Sequence, residues 1–94
     1  MRDIAALKET SNRTRLDFLN IDAEVGLTLA AIAWAADVDS DKRRRNAAAA
    51  KRAYDTILQL SRSVSMTADE ASNLSIKLAN LKSRLQQLGE MFGS

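Results

Sequence analysis

An unbroken heptad pattern runs through the last quarter of the chain. Its apolar positions alternate in steps of three and four residues: Ala71, Leu74, Leu78, Leu81, Leu85, Leu88 and Phe92. This spacing places all of these side chains on one stripe of an α-helix. A stripe so rich in leucine has to pack against another surface, because leaving it in water forfeits the free energy of burial. The pattern therefore predicts a helix over about 67–91 and a surface that covers it.

The composition favours an all-α domain. The chain has 94 residues, no proline and three glycines, whereas strong helix formers dominate it. A β-rich or loop-rich fold would need proline and glycine for its turns. Residues 1–94 are therefore predicted to form a single helical domain, with residues 1–12 as a possible extension and residues 93–94 interpreted as an expression tail.

A second helix is predicted over about 14–36 and a third over about 41–64. The helix over 14–36 carries apolar residues at Phe18, Ile21, Val25 and Ile32, taken as its packed face. These four are backed by further apolar residues: Leu16, Leu19, Leu29, Ala33 and Trp34. The inner face of the helix over 41–64 has six positions: Ala47, Ala50, Tyr54, Ile57, Ser61 and Val64. Short connections make consecutive helices antiparallel neighbours, so the predicted fold is an up-down-up antiparallel three-helix bundle.

The helix ends carry their own signals. Thr67 and Glu70 form a capping box at the start of the last helix, and Ser40 or Asp39 can cap the helix before it. Ile4 and Leu7 continue the heptad phase of the first helix, which can therefore extend toward residue 4. If the other two helices leave Ile4 and Leu7 uncovered, a second copy of the chain could cover them, which would favour a homodimer.

The charges beside the apolar stripes predict how the first and last helices pair. Lys77, Lys82 and Arg84 flank the heptad seam, whereas Asp17, Asp22 and Glu24 flank the stripe of the first helix. The all-basic flank opposes a parallel homodimer of the seam. An internal register that aligns Ile21 with Leu81 places Asp17 opposite Lys82 and Asp22 opposite Lys77. We therefore interpret the seam as part of the core of the molecule.

Several classes of function lack their usual residues. The chain contains neither cysteine nor histidine, which are common nucleophiles, general bases and metal ligands. Asp37, Asp39 and Asp41 resemble the opening of a calcium loop, but Lys42 and Ala48 occupy the positions of its glycine and glutamate. We predict no enzyme, no cofactor and no metal site, and we interpret the aspartates as turn and cap residues.

The candidate binding site with the clearest charge is a basic segment. It consists of Lys42, Arg43, Arg44, Arg45, Lys51 and Arg52, with no acidic residue among them. Such a patch can contact the phosphates of nucleic acid or anionic lipid; alternatively, it is a solvated helix face neutralised by the neighbouring aspartates. Trp34 and Tyr54 are predicted to pack in the core, or to form one wall of a groove, which leaves no exposed aromatic ring beside the basic segment.

The stretch from Leu27 to Leu60 resembles a tetratricopeptide hairpin, with alanines at close-packing positions and Ala53-Tyr54 preceding Ile57. The turn glycine and terminal proline of that family are absent. With the last helix added, the chain is also similar to the three-helix microtubule-interacting-and-trafficking domain. Both families bind peptides or helices in a groove, so the resemblance implies a non-catalytic protein–protein interaction or scaffolding module. Binding of nucleic acid or anionic membrane through residues 42–52 is the alternative.

The sequence also predicts where the protein works. The most apolar stretch, from Val25 to Ala36, is shorter than the roughly 20 residues that a spanning helix needs. The start of the chain has no sustained apolar region of the kind found in signal peptides. A cytoplasmic protein without a transmembrane segment is therefore expected.

Overall fold

The computed structural model describes the backbone of residues 4–89 and the side chains of residues 11–89. Three helices follow one another: α1 is Ile4–Ala35, α2 is Asp41–Ser61 and α3 is Ala68–Gln87. Each helix packs against both others, and the described residues include no strand. The all-α three-helix bundle expected from the sequence is confirmed.

The bounds of the helices differ in part from the sequence prediction. α1 begins at Ile4, so the extended form of the first helix is correct, although the side chains of Ile4 and Leu7 lie outside the described part. α2 ends at Ser61, three residues before the predicted end. The hydroxyl of Ser63 donates to the carbonyl of Leu60 at 2.9 Å, a local hydrogen bond that competes with continuation of the helix. The predicted end of the last helix at residue 91 falls outside the described residues.

The capping predictions are confirmed in detail. Of the two candidate caps for α2, Ser40 serves: its hydroxyl oxygen accepts from the backbone N–H of Arg43 at 3.1 Å. Asp39 instead takes the left-handed turn conformation, with a φ of 66°. At the start of α3, Thr67 accepts from the Glu70 N–H at 3.1 Å, and Glu70 accepts from the Thr67 N–H at 2.9 Å. In both inter-helix turns, side-chain hydrogen bonds therefore fix the residue at which the next helix begins.

The inward faces of α2 and α3 also agree with the sequence. The buried positions from these two helices and the turn between them are Ala47, Ala50, Tyr54, Ile57, Val64, Leu74, Leu81 and Leu85. Leu78 and Leu88 are half-buried and pack against the same core. Phe92, the last position of the predicted seam, lies outside the described residues.

The inward face of α1 was predicted only in part: the four main positions are exposed, whereas Leu16, Leu19 and Ala33, expected to back them, are buried. The side chains expected to pack inside, Phe18, Ile21, Val25 and Ile32, are 38–59% exposed. The buried face is instead an inner stripe of mostly small residues: Leu16, Leu19, Ala23, Gly26, Ala30 and Ala33.

The reason for this inversion is the close approach of the three helices. A Cβ atom added at Gly26 would lie 2.8 Å from Leu81 Cδ2 and 3.4 Å from Ala53 Cβ. At that separation, only small side chains fit between α1 and its neighbours around Gly26, whereas Leu16 and Leu19 fill the wider N-terminal end of the bundle. Close packing gains dispersion contacts along the whole interface and offsets the modest apolar area of alanine.

The register of α1 against α3 is likewise shifted. The two helices are parallel, as predicted, but Gly26 rather than Ile21 lies opposite Leu81. The Lys77 ammonium lies 3.4 Å from Glu24 Oε1 and 3.1 Å from Asn20 Oδ1. Glu24 therefore replaces Asp22 as the acidic partner of Lys77, and the predicted facing of Asp17 and Lys82 depends on the same incorrect register.

Candidate interaction surfaces

The face of α1 that points away from the bundle carries an apolar outer stripe, formed by Phe18, Ile21, Val25 and Ile32. Their exposed fractions are 53%, 59%, 46% and 38%. The exposed Thr28 occupies the same heptad phase between the last two. Four large apolar side chains are thus exposed on one helix face, and exposed apolar patches mark contact sites on soluble proteins.

At its N-terminal end the outer stripe opens into an apolar groove between α1 and the end of α2. The groove encloses about 530 Å³. Its lining residues are Thr14, Arg15, Phe18, Leu19, Leu60, Ser63 and Val64. Leu60 is itself 41% exposed, so the apolar surface continues from α1 onto α2.

Charged residues border the outer stripe on both sides. Arg15 lines the groove on the α2 side, and Asp22, two helical turns later, lies along the same edge. Asp17 and Glu24 border the stripe on the α3 side, where Lys77 holds Glu24. Within the described part of the chain, neither Arg15 nor Asp22 has a hydrogen-bonding or ion-pair partner.

Part of the predicted basic segment is neutralised within the molecule. Arg44 pairs with the Asp41 carboxylate and donates to the Asp39 carbonyl at 2.7 Å. The Lys51 ammonium lies 3.0 Å from Asp55 Oδ2. For these two residues, the alternative of a face neutralised by neighbouring acids is the better description.

Three other basic side chains form an exposed basic ridge on α2, made of Lys42, Arg45 and Arg52. Their spacing of three and seven residues keeps them on one side of the helix. Among the described residues none of them has an ion-pair or hydrogen-bond partner. The basic ridge is therefore the part of the segment that is open to an external anion.

Trp34 was predicted to pack in the core, and this is wrong: its side chain is 57% exposed at the C-terminal end of α1. Arg43 Cζ lies 5.5 Å from the centroid of its ring, a cation–π contact. Arg84 and Gln87 of α3 form a small cleft with it. An exposed aromatic ring therefore does lie beside the basic segment, contrary to the sequence prediction, whereas Tyr54 is buried as predicted.

Among the described residues, no group of three histidine, cysteine, aspartate or glutamate residues is arranged to hold a metal ion. Asp39 and Asp41 serve the turn and the Arg44 ion pair instead. The absence of a catalytic centre, a cofactor and a metal stays a prediction from the sequence.

Comparison with protein families, with curated proteins and with solved structures returned no match to this chain. The resemblance to tetratricopeptide and microtubule-interacting-and-trafficking modules therefore stays an expectation. Function has to be argued from the surfaces described above.

By length and composition, the stretch Ser11–Ala35 of α1 could cross a membrane: it has 25 residues and contains an 18-residue segment with a mean hydropathy of 1.3. Core helices of soluble proteins pass the same criterion, and the inner stripe of α1 packs against α2 and α3. The expected cytoplasmic location stays a prediction.

Proposed function

We propose that this protein is a non-catalytic protein–protein interaction or scaffolding module whose contact surface is the outer stripe of α1. The observation that carries the proposal is the set of four large apolar side chains that remain 38–59% exposed on one helix face. Because their spacing alternates between three and four or spans a full heptad, they suit a partner helix laid along α1.

The groove at the end of the stripe adds a specific anchor point. Its apolar walls, Phe18 and Leu60, leave room for a large side chain of the partner. Each square ångström of apolar surface covered there contributes roughly 25 cal/mol. Buried anchors of this kind supply most of the binding free energy at protein interfaces.

Photo-crosslinking inside cells tests this proposal even when the partner's identity is unknown. A benzophenone amino acid at position 25, within the outer stripe, is expected to capture protein in covalent adducts. The same probe at Ser72, which is exposed on α3, is the matched control and should capture little. Mass spectrometry identifies the captured chain, and a folded protein that forms no adduct through position 25 contradicts the proposal.

We propose as a second candidate that the basic ridge binds an anionic surface, either nucleic acid or anionic membrane. The specific observation in favour is Trp34, exposed beside Arg43. An aromatic ring next to basic side chains can stack on a base while the cations contact phosphates. At a membrane, the same ring would lie at the level of the headgroups.

Trp34 is the only tryptophan and it contacts Arg43 of the basic segment, so its fluorescence reports binding at that end of the segment. Addition of single-stranded DNA or of anionic vesicles at low salt should shift or quench the emission, and about 0.3 M salt should reverse the change. Replacing Lys42, Arg45 and Arg52 together by alanine should abolish the response and leaves the Arg43–Trp34 contact in place. Arg62→Ala, at the other end of α2, is the control. An unchanged emission at low salt, or an undiminished response in the triple variant, contradicts the second candidate.

A further inference from the structure

We propose that the partner on the outer stripe is a second copy of this chain, with the two α1 helices packed antiparallel and the two-fold axis between positions 18 and 21. The inference rests on the proposed function, since it requires the outer stripe to be a contact surface. It adds the identity of the partner and the register of the contact. A two-fold symmetric dimer is the commonest closed assembly of identical chains.

The apolar positions fit this arrangement. In an antiparallel pair of helices, alternate heptad positions of one chain face those of the other. Phe18 then faces the partner's Ile21, Val25 faces the partner's Thr14, and Thr28 faces the partner's Ser11. By symmetry each of these contacts occurs twice, and the two bulkiest pairs lie at the centre, where water is excluded best.

The charges on the α2 side of the stripe select the same register. Arg15 lies opposite the partner's Asp22, and Asp22 lies opposite the partner's Arg15. Neither side chain has a hydrogen-bonding or ion-pair partner among the described residues of its own chain. In the dimer, Arg15 of each chain pairs with Asp22 of the other, so two equivalent ion pairs form.

On the α3 side of the stripe, Asp17 faces the partner's Glu24. The charge of Glu24 is partly neutralised, because the Lys77 ammonium of the same chain lies 3.4 Å from Glu24 Oε1. Lys77 therefore supplies a positive charge beside Glu24 on this edge.

Other registers along the stripe are less favourable. Moving the axis one half-heptad toward the C-terminus places Asp22 against the partner's Asp22 and Glu24 against the partner's Glu24. The same step toward the N-terminus opposes Arg15 with itself and Asp17 with itself. A parallel dimer places Asp17 beside the partner's Asp22. Like charges at such positions are destabilising.

Sedimentation equilibrium of the full chain with charge-exchanged variants tests the inference. The wild-type chain should approach twice its mass of 10.3 kDa at micromolar concentrations. Arg15→Glu and Asp22→Arg, each of which turns two attractive contacts into repulsive ones, should each lower the association constant about tenfold. The double variant should restore it to within about threefold of the wild type, whereas Arg62→Glu, a control of equal charge change, should leave it unaltered.

Cysteine crosslinking tests the orientation, since the natural chain has no cysteine. A mixture of Val25→Cys and Thr14→Cys chains should form mixed disulfide dimers, and Val25→Cys alone should form none. Efficient disulfide formation by Val25→Cys alone indicates a parallel pair and overturns the inference, as does a double charge variant that does not recover association.

A chain that stays monomeric throughout the micromolar range also overturns the inference. If the probe at position 25 nevertheless captures a different protein in cells, the proposed interaction function stands while self-association fails. The two proposals are therefore separately testable.

Discussion

Leu81→Asp is expected to unfold the domain. Leu81 has no exposed surface and lies against the backbone of α1 at Gly26. The substitution forfeits about 1.5–3 kcal/mol of apolar burial and places a carboxylate among the apolar side chains of Ala30, Ala50 and Leu85, at a further cost of several kcal/mol. A domain of this size has a free energy of unfolding of about 5–15 kcal/mol, so little remains. Thermal denaturation followed by circular dichroism measures the effect.

Ile76→Asp is the matched control for this prediction. It introduces the same side chain into the same helix, at a position that is 58% exposed. Its effect on the free energy of unfolding should stay within about 0.5 kcal/mol, as for other surface substitutions. Equal melting temperatures for the Leu81→Asp variant and the wild type would show that α3 does not pack as described.

The parts of the fold that the sequence predicts well are those with one apolar stripe per helix. α3 has leucines at almost every inward position, and α2 has a single run of alanine, tyrosine and isoleucine at helical spacing. Capping is equally local, since Thr67 and Glu70 are three residues apart. In these elements, periodicity and local hydrogen bonding are sufficient to assign the inner face.

α1 could not be assigned in this way because it carries two stripes at heptad spacing. One consists of large apolar residues and the other mainly of alanine and glycine. Hydrophobicity favours the first stripe as the core, but the distance between helices decides in favour of the second. That distance is a tertiary property. The one local clue was Gly26, since glycine inside a helix costs about 0.5–1 kcal/mol and its presence there indicates a close approach.

The incorrect inner face of α1 also led to incorrect roles for residues of the candidate surfaces. The acidic residues beside Phe18 and Ile21 were interpreted as internal partners for α3, because the stripe between them was taken as internal. With the stripe facing outward, Asp17 and Asp22 instead border the exposed outer stripe. Trp34 was misplaced for the same reason. It directly follows the inner-stripe residue Ala33, and because successive residues of a helix point about 100° apart, its ring lies outside the bundle.

Leu19→Asp is expected to be as damaging as Leu81→Asp. Leu19 is 1% exposed and belongs to the core cluster that also contains Leu16, Ile57 and Leu74. A carboxylate at this position loses the burial of leucine and places a charge against the apolar side chains of Ile57 and Leu74. The expected result is loss of the cooperative thermal transition.

How α1 packs is tested most directly by comparing Leu19→Asp, on the buried inner stripe, with Ile21→Asp, on the exposed outer stripe. The two positions are two residues apart, and Ile21 is 59% exposed. Thermal unfolding is measured at a dilution at which any dimer has dissociated. The free energy of unfolding of Ile21→Asp is expected to lie within about 0.5 kcal/mol of the wild type, whereas Leu19→Asp is expected to be unfolded. A Leu19→Asp chain that stays folded while Ile21→Asp unfolds would contradict this packing of α1.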